Sequence, residues 1–205
     1  MSTQLSKPNE SGFLISASDI DIPRINVVQK TSSIDAPVGA IVLGKEFTLS
    51  EADEAIRAAV INPVKGFKED VPYGTDTVAR MVYTEAEAEE LRKDSEFKVI
   101  EFAELTFLFR SNQEEPDPAA FPLPLGDDFC ALGKIHVHKD AYRQTYKVLA
   151  TWAAGNPDKS VSSVEWDFKS SLIQRGPHSW YAPSLKPTAE PVKEDISKFI
   201  QTISS

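Results

Sequence analysis

The sequence predicts a mainly β domain of the α+β class. Three observations carry that prediction. Apolar residues recur at every second position in several runs, turn formers (Gly, Pro, Asn, Asp, Ser) separate those runs at short intervals, and only two or three stretches follow a helical period. A chain of 205 residues with 41% hydrophobic and 26% charged content is long enough for one sizeable core. One domain over residues 19–190 is expected, preceded by a flexible arm at 1–18 and followed by a helix over 191–205.

Residues 22–32, I-P-R-I-N-V-V-Q-K-T-S, set Arg24, Asn26 and Lys30 against Ile25 and Val27 and read as an entry strand. A turn rich in Ser, Asp, Pro and Gly leads to a second strand over 39–47, G-A-I-V-L-G-K-E-F, and then to an acidic turn at 50–54. Over 55–68, Ala favours helix, whereas Val60, Ile61, Pro63 and Gly66 favour a strand that breaks at Asn62; strand is the reading adopted. Thr84 followed by Glu87 is a capping-box pattern for a short acidic helix through Arg92. Residues 98–110 are the most apolar stretch and read as a central strand. The segment 111–128 holds four prolines and reads as a long loop.

Residues 129–137 read as a strand with Phe129, Ala131, Ile135 and Val137 on one face and Lys134, His136 and His138 on the other. Asp140 is the candidate N-cap of a helix to Ala153, stopped by Gly155-Asn156-Pro157. A half-buried strand follows over 164–174, with Trp166, Phe168 and Leu172 on one face. Gly176-Pro177-His178 turns it into a partner strand at 179–182, making a hairpin. Pro183, Pro187 and Pro191 punctuate the exit, and 192–203 form an amphipathic helix through Ile196, Phe199, Ile200 and Ile203. Several short strands, two or three peripheral helices and no internal repeat fit a partly open β-barrel of the oligonucleotide/oligosaccharide-binding (OB) kind.

No stretch approaches the roughly 18 apolar residues that span a bilayer, and the first residues lack the pattern of a secretion signal. A cytoplasmic protein without a membrane partner is therefore expected. Cys130 is the only cysteine, which excludes an internal disulfide and a multi-cysteine zinc site within one chain. The net charge of −9 opposes indiscriminate phosphate binding. The acids are clustered, however, and residues 168–186 contain none while carrying Lys169, Arg175, His178 and Lys186. An acidic body with a basic stripe suits selective strand binding, because the remainder repels DNA that stays outside the groove.

Single-strand binding needs cations for phosphates and aromatic faces for bases. The hairpin offers Lys169, Arg175, Trp180 and Tyr181. Arg24, Lys30, Lys45, Arg110 and Lys134 extend the same groove if the strands curl, and His136 lies on a polar strand face that meets phosphates. Taken singly, each is better explained as a surface charge or as an ordinary core or edge aromatic, and their value lies in convergence. His136 and His138 point to one side of a strand, but a metal would need further ligands, with only Cys130 and Asp128 nearby. No serine-nucleophile elbow, phosphate-binding loop or H-E-x-x-H motif occurs, so no enzyme activity, catalytic residue, metal or cofactor is assigned.

The P-R, short apolar run, Q-x-x-S and later Gly44-Lys45, the helix D-A-Y-R-Q-T-Y-K-V-L-A-T-W and the terminal W-Y-A-P together resemble a family of phage-encoded single-stranded-DNA-binding proteins. The resemblance implies an OB-type barrel that coats exposed DNA during replication and recombination in the host cytoplasm, with replication or recombination proteins and a second copy of the chain as further partners. It marks Arg24, Lys45, Lys134, Lys169, Arg175, Trp180 and Tyr181 as contacts. Many such binders end in an acidic tail, whereas this sequence ends in an amphipathic helix and I-S-S, which moves partner recruitment to the acidic loop around 114–128. The alternative reading is a non-enzymatic interaction module whose hairpin and C-terminal helix form an oligomer interface.

Overall fold

The computed structural model describes residues 21–72 and 74–203; the expected arm at 1–18 lies outside the described residues. Strands β1 (Ile25–Val27), β2 (Ile41–Leu43) and β3 (Phe47–Ser50) form a small antiparallel sheet in that order. A larger antiparallel sheet holds β4 (Ile56–Glu69), β5 (Met81–Val82), β6 (Val99–Arg110), β7 (Leu123–Leu125), β8 (Asp128–His138), β9 (Val164–Arg175) and β10 (His178–Pro191). Its order is β10-β9-β4-β6-β8-β7, with β5 beside β4. Helix α1 (Glu85–Asp94) lies between β5 and β6, α2 (Lys139–Gln144) and α3 (Tyr146–Gly155) between β8 and β9, and α4 (Glu194–Ile203) follows β10. The expected mainly β, α+β class is the class observed, and the two sheets do not close into a barrel.

The small sheet bridges the two halves of the large one. The Lys134 amide donates to the Pro23 carbonyl at 2.9 Å, tying the start of β1 to β8. The Gln29 side chain donates to the Tyr181 carbonyl at 2.8 Å and accepts from the Tyr181 amide at 3.0 Å, tying the end of β1 to β10. Ile25, Ile41 and Leu43 thereby reach a core that includes Phe107, Phe109, Trp166 and Phe168, closed at one end by Tyr142 and Leu149 of α2 and α3. Gly133 makes this approach possible, because a Cβ there would fall 2.7 Å from Ile25 and 2.8 Å from Leu43. Burying a large apolar side chain contributes roughly 1.5–3 kcal/mol, so this shared core is what holds two sheets together.

Several expectations are corrected by backbone chemistry. The entry strand is short, Lys30 falls in the turn after it, and Gly44, at φ 64°, turns the 39–47 segment back on itself as β2 and β3. β4 does not end at Asn62 but shifts register between Val60 and Asn62 and continues. Pro63 is tolerated because β9 pairs only with residues 56–58 of β4 and β5 only with 67–68, leaving that side of Pro63 without a strand. The loop 111–128 includes β7, and Pro183, Pro187 and Pro191 lie within β10; both are edge strands, where a missing N–H is harmless. The Thr84 capping box forms as expected, with the Glu87 amide donating to Thr84 Oγ1 at 3.3 Å and the Thr84 amide to Glu87 Oε2 at 3.1 Å. Asp140 is not an N-cap; it sits in the first turn of α2 after His138, and Thr145 separates α2 from α3.

Candidate nucleic-acid interface

Alternation along β6 and β8 sorts their side chains onto two faces. Ala103, Leu105, Phe107 and Phe109 of β6, with Ala131, Ile135 and Val137 of β8, face the main core. On the opposite face, Leu108 and Leu132 pair across the strands and, with Ala59 and Cys130, are buried against Val192, Ile196 and Ile200. Further along the same face the pairs become Thr106 with Lys134, Glu104 with His136 and Phe102 with His138. Gly66 lies opposite Phe102 on β4, and a Cβ at 66 would fall 2.5 Å from the Phe102 ring. The glycine is what admits that ring.

Phe102 is fully buried and stacks under His136 at 4.5 Å between centroids, 19° from parallel. Tyr83 meets the edge of Phe102 at 5.7 Å and is itself exposed. His136 and His138 are both pushed down to about 4, by burial first and by the nearby Lys68 charge second, with Arg24 adding to the effect on His136 and Lys139 to that on His138. Both imidazoles are neutral at pH 7. His136 can therefore offer a flat ring to a base, while the charge comes from its neighbours. Two acids border this surface: Glu104 lies 3.9 Å from His136 Nδ1, and Asp70, paired with Lys139, also acts on Lys68 and His138.

Most cations of this acidic chain are neutralised internally. Arg57, Lys65, Arg80, Arg92, Lys93, Arg110, Lys139, Arg143, Lys147, Arg175, Lys193 and Lys198 all stand within 4.0 Å of a carboxylate. Arg24, Lys30, Lys45, Lys68 and Lys134 have no ion pair among the described residues, as is true of Lys98, Lys159, Lys169 and Lys186 elsewhere. Arg24 and Lys45 line one cleft, Arg24 is bridged to Lys134 through the backbone, and Arg24 and Lys68 both act on His136. The result is a track of unpaired charge running from the β2–β3 turn across β8 to β4.

The structure thus brings together four of the residues singled out from sequence, Arg24, Lys45, Lys134 and His136, with Lys30 exposed in the nearby turn. It does not bring Arg110 to them. That guanidinium is held by Glu165 at 2.8 and 3.1 Å, next to Asp128 at 3.8 Å. The hairpin candidates are engaged otherwise: Arg175 donates to Asp140, the Tyr181 backbone is held by Gln29, and Trp180 and Tyr181, being consecutive, face opposite sides of β10. Lys169 has no ion pair but lies on β9, beyond β4. Lys68, Phe102 and Tyr83 were missed by sequence reasoning. The available signal was Phe102-x-Glu104-x-Thr106, an alternation in phase with His138, His136 and Lys134.

Among the described residues no group of three His, Cys, Asp or Glu side chains could hold a metal ion, and no helix is long and apolar enough to cross a membrane. Compared with protein-family models, curated proteins and solved structures, the chain matches none.

Proposed function

We propose that this protein binds single-stranded DNA without catalysis, laying the strand along the Lys45, Arg24, Lys134 and Lys68 track and stacking bases on His136 and Tyr83. The observation that carries this reading is the concentration of unpaired cations on one surface of a chain with net charge −9. Counterion release from phosphates favours such a surface, while the acidic remainder repels a stiff duplex that cannot confine itself to it. A ring backed by a second buried ring is a preformed stacking platform, and stacking is indifferent to base identity.

The connectivity supports the same reading. β4, β6 and β8 form a meander, α2 and α3 follow, and β9 and β10 return on the other side of β4. This is the strand order of an OB module whose last strand has drawn away from its third, and in such modules the second and third strands carry the oligonucleotide. Here those strands are β6 and β8. The coating role in replication and recombination, the further protein partners and the cytoplasmic setting belong to this proposal. The test is anisotropy of a labelled oligothymidine against a duplex of equal length. Single-strand binding that weakens steeply with salt and exceeds duplex binding is the expected result; no binding at low salt removes the reading.

A further inference from the structure

Two clefts open on either side of the β2–β3 turn and share Gly44 and Lys45. One, of about 490 Å³, is polar and lined by Arg24, Asn26, Thr31, Ser32, Ser33 and Lys45, with no carboxylate among its lining residues. Asn26 donates to the Gly44 carbonyl and so fixes the turn. Ser32 Oγ accepts from the Gln29 amide, which leaves its proton to donate. Thr31 and Ser33 have no hydrogen-bond partner among the described residues, and Arg24 and Lys45 have no ion pair. The cleft therefore offers two cations and three hydroxyl donors. A phosphate monoester, with close to two negative charges, matches that set better than a singly charged phosphodiester.

The second cleft, of about 420 Å³, is largely apolar, with Pro23, Leu43, Phe47, Ala119 and Leu123 in its walls, Asp21 and Glu46 as its two acidic lining residues, and Lys45 where it adjoins the first. A phosphate on one side of Lys45 and a flat apolar group on the other is the layout of a nucleotide. Resting on the strand-binding reading above, we propose that the paired clefts capture a terminal nucleotide of the DNA strand. Its phosphate monoester lies between Arg24 and Lys45, and its base lies against Phe47 and Leu123. Arg24 then leads the chain directly onto Lys134 through their backbone bridge.

The test uses three oligothymidines of one length, labelled on an internal base and carrying a 5′-phosphate, a 3′-phosphate or hydroxyls at both ends. One phosphorylated strand is expected to bind about five- to tenfold more tightly than the unphosphorylated one, a modest gain because both cations are solvated. Lys45→Glu should abolish that increment, Ala119→Trp should abolish it by filling the apolar cleft, and Lys134→Glu should weaken all three strands alike. Equal affinity for the three strands overturns the terminal-nucleotide site and leaves strand binding in place. Failure to bind any strand, with saturable calorimetric binding of free thymidine monophosphate that Lys45→Glu removes, retains the clefts and discards the strand. Failure to bind either overturns both.

Discussion

The face of β4, β6 and β8 turned away from the main core behaves in two ways along its length. At one end Ala59, Leu108, Cys130 and Leu132 are sealed by Val192, Ile196 and Ile200, and the junction is latched by Lys193 on Asp128 at 2.7 Å and Arg110 on Glu165 at 2.8 Å. At the other end the same strands, in the same alternation, present Lys68, Thr106, Lys134 and His136. The closed end spends its charges on internal partners, and the open end keeps them. A single β-strand can thus pack with one half and, on the proposed strand-binding reading, recognise a ligand with the other, because the alternation fixes which face a residue joins and its chemistry fixes whether that face is covered. The closed half also bears on the oligomer-interface alternative, since the apolar stripe of α4 is occupied by its own sheet.

The closed end should show the largest effect on substitution. Ile196→Ala removes a fully buried side chain from α4 and is expected to cost about 3 kcal/mol in denaturant unfolding. Cys130, buried beneath α4 with its thiol pushed up to about 12 by burial, should be inert to thiol reagents in the native protein and become reactive in that variant. An unreactive Cys130 in the variant would mean that the sheet stays covered without the packing of Ile196.

The open end should respond in the opposite sense, losing affinity while keeping stability. Lys134→Glu is expected to weaken oligothymidine binding about tenfold or more and to flatten the salt dependence by roughly 0.7 per lost phosphate contact, with the melting temperature unchanged. His136→Ala should cost about tenfold through lost stacking with little change in salt slope. A fall in slope as large as that of Lys134→Glu would instead make His136 a charged contact.

Acidification offers a third way to separate the two ends. His136 and His138 sit near 4 when folded and near 6.5 when unfolded, so the unfolded chain takes up protons first as pH falls. Their contribution to stability is complete above about pH 6.5 and is lost as pH falls through about 4. Thermal melts should decline across that window, and a His136→Asn/His138→Asn variant should decline less. Glu69, held down to about 2 chiefly by the hydrogen bonds from Arg80, adds its own loss between about pH 5 and 2, so the histidine effect is read cleanly above about pH 5. The smallest effect is expected at the hairpin, where Arg175→Ala should change affinity less than twofold because Asp140 already holds that charge. A tenfold loss would return the hairpin to the interface.

Much of this arrangement was legible before folding. The capping box at Thr84, the alternation of β8, the long apolar β6 and the amphipathic α4 each follow from spacing alone, since local periodicity determines which side chains share a face. The prolines misled, because whether a missing N–H matters depends on whether a neighbouring strand needs it, as at Pro63, Pro183 and Pro187. The hairpin lacks acids in its own sequence, yet Asp140, 35 residues away, supplies one to Arg175. Lys68 escaped notice because the register shift at Val60 to Asn62 changes which residues of β4 face His136.

By itself, then, the sequence determined the mainly β class and most of the strands and helices, and it offered Arg24, Lys30, Lys45, Arg110, Lys134, His136, Lys169, Arg175, Trp180 and Tyr181 as candidates without separating them. Only the tertiary structure decided which cations stay unpaired, that Phe102 underlies His136, and that α4 covers half of a face whose other half is open. Periodicity is a local property carried by neighbours in the chain, whereas ion pairing, ring stacking and coverage join residues tens of positions apart and exist only once the sheets have packed.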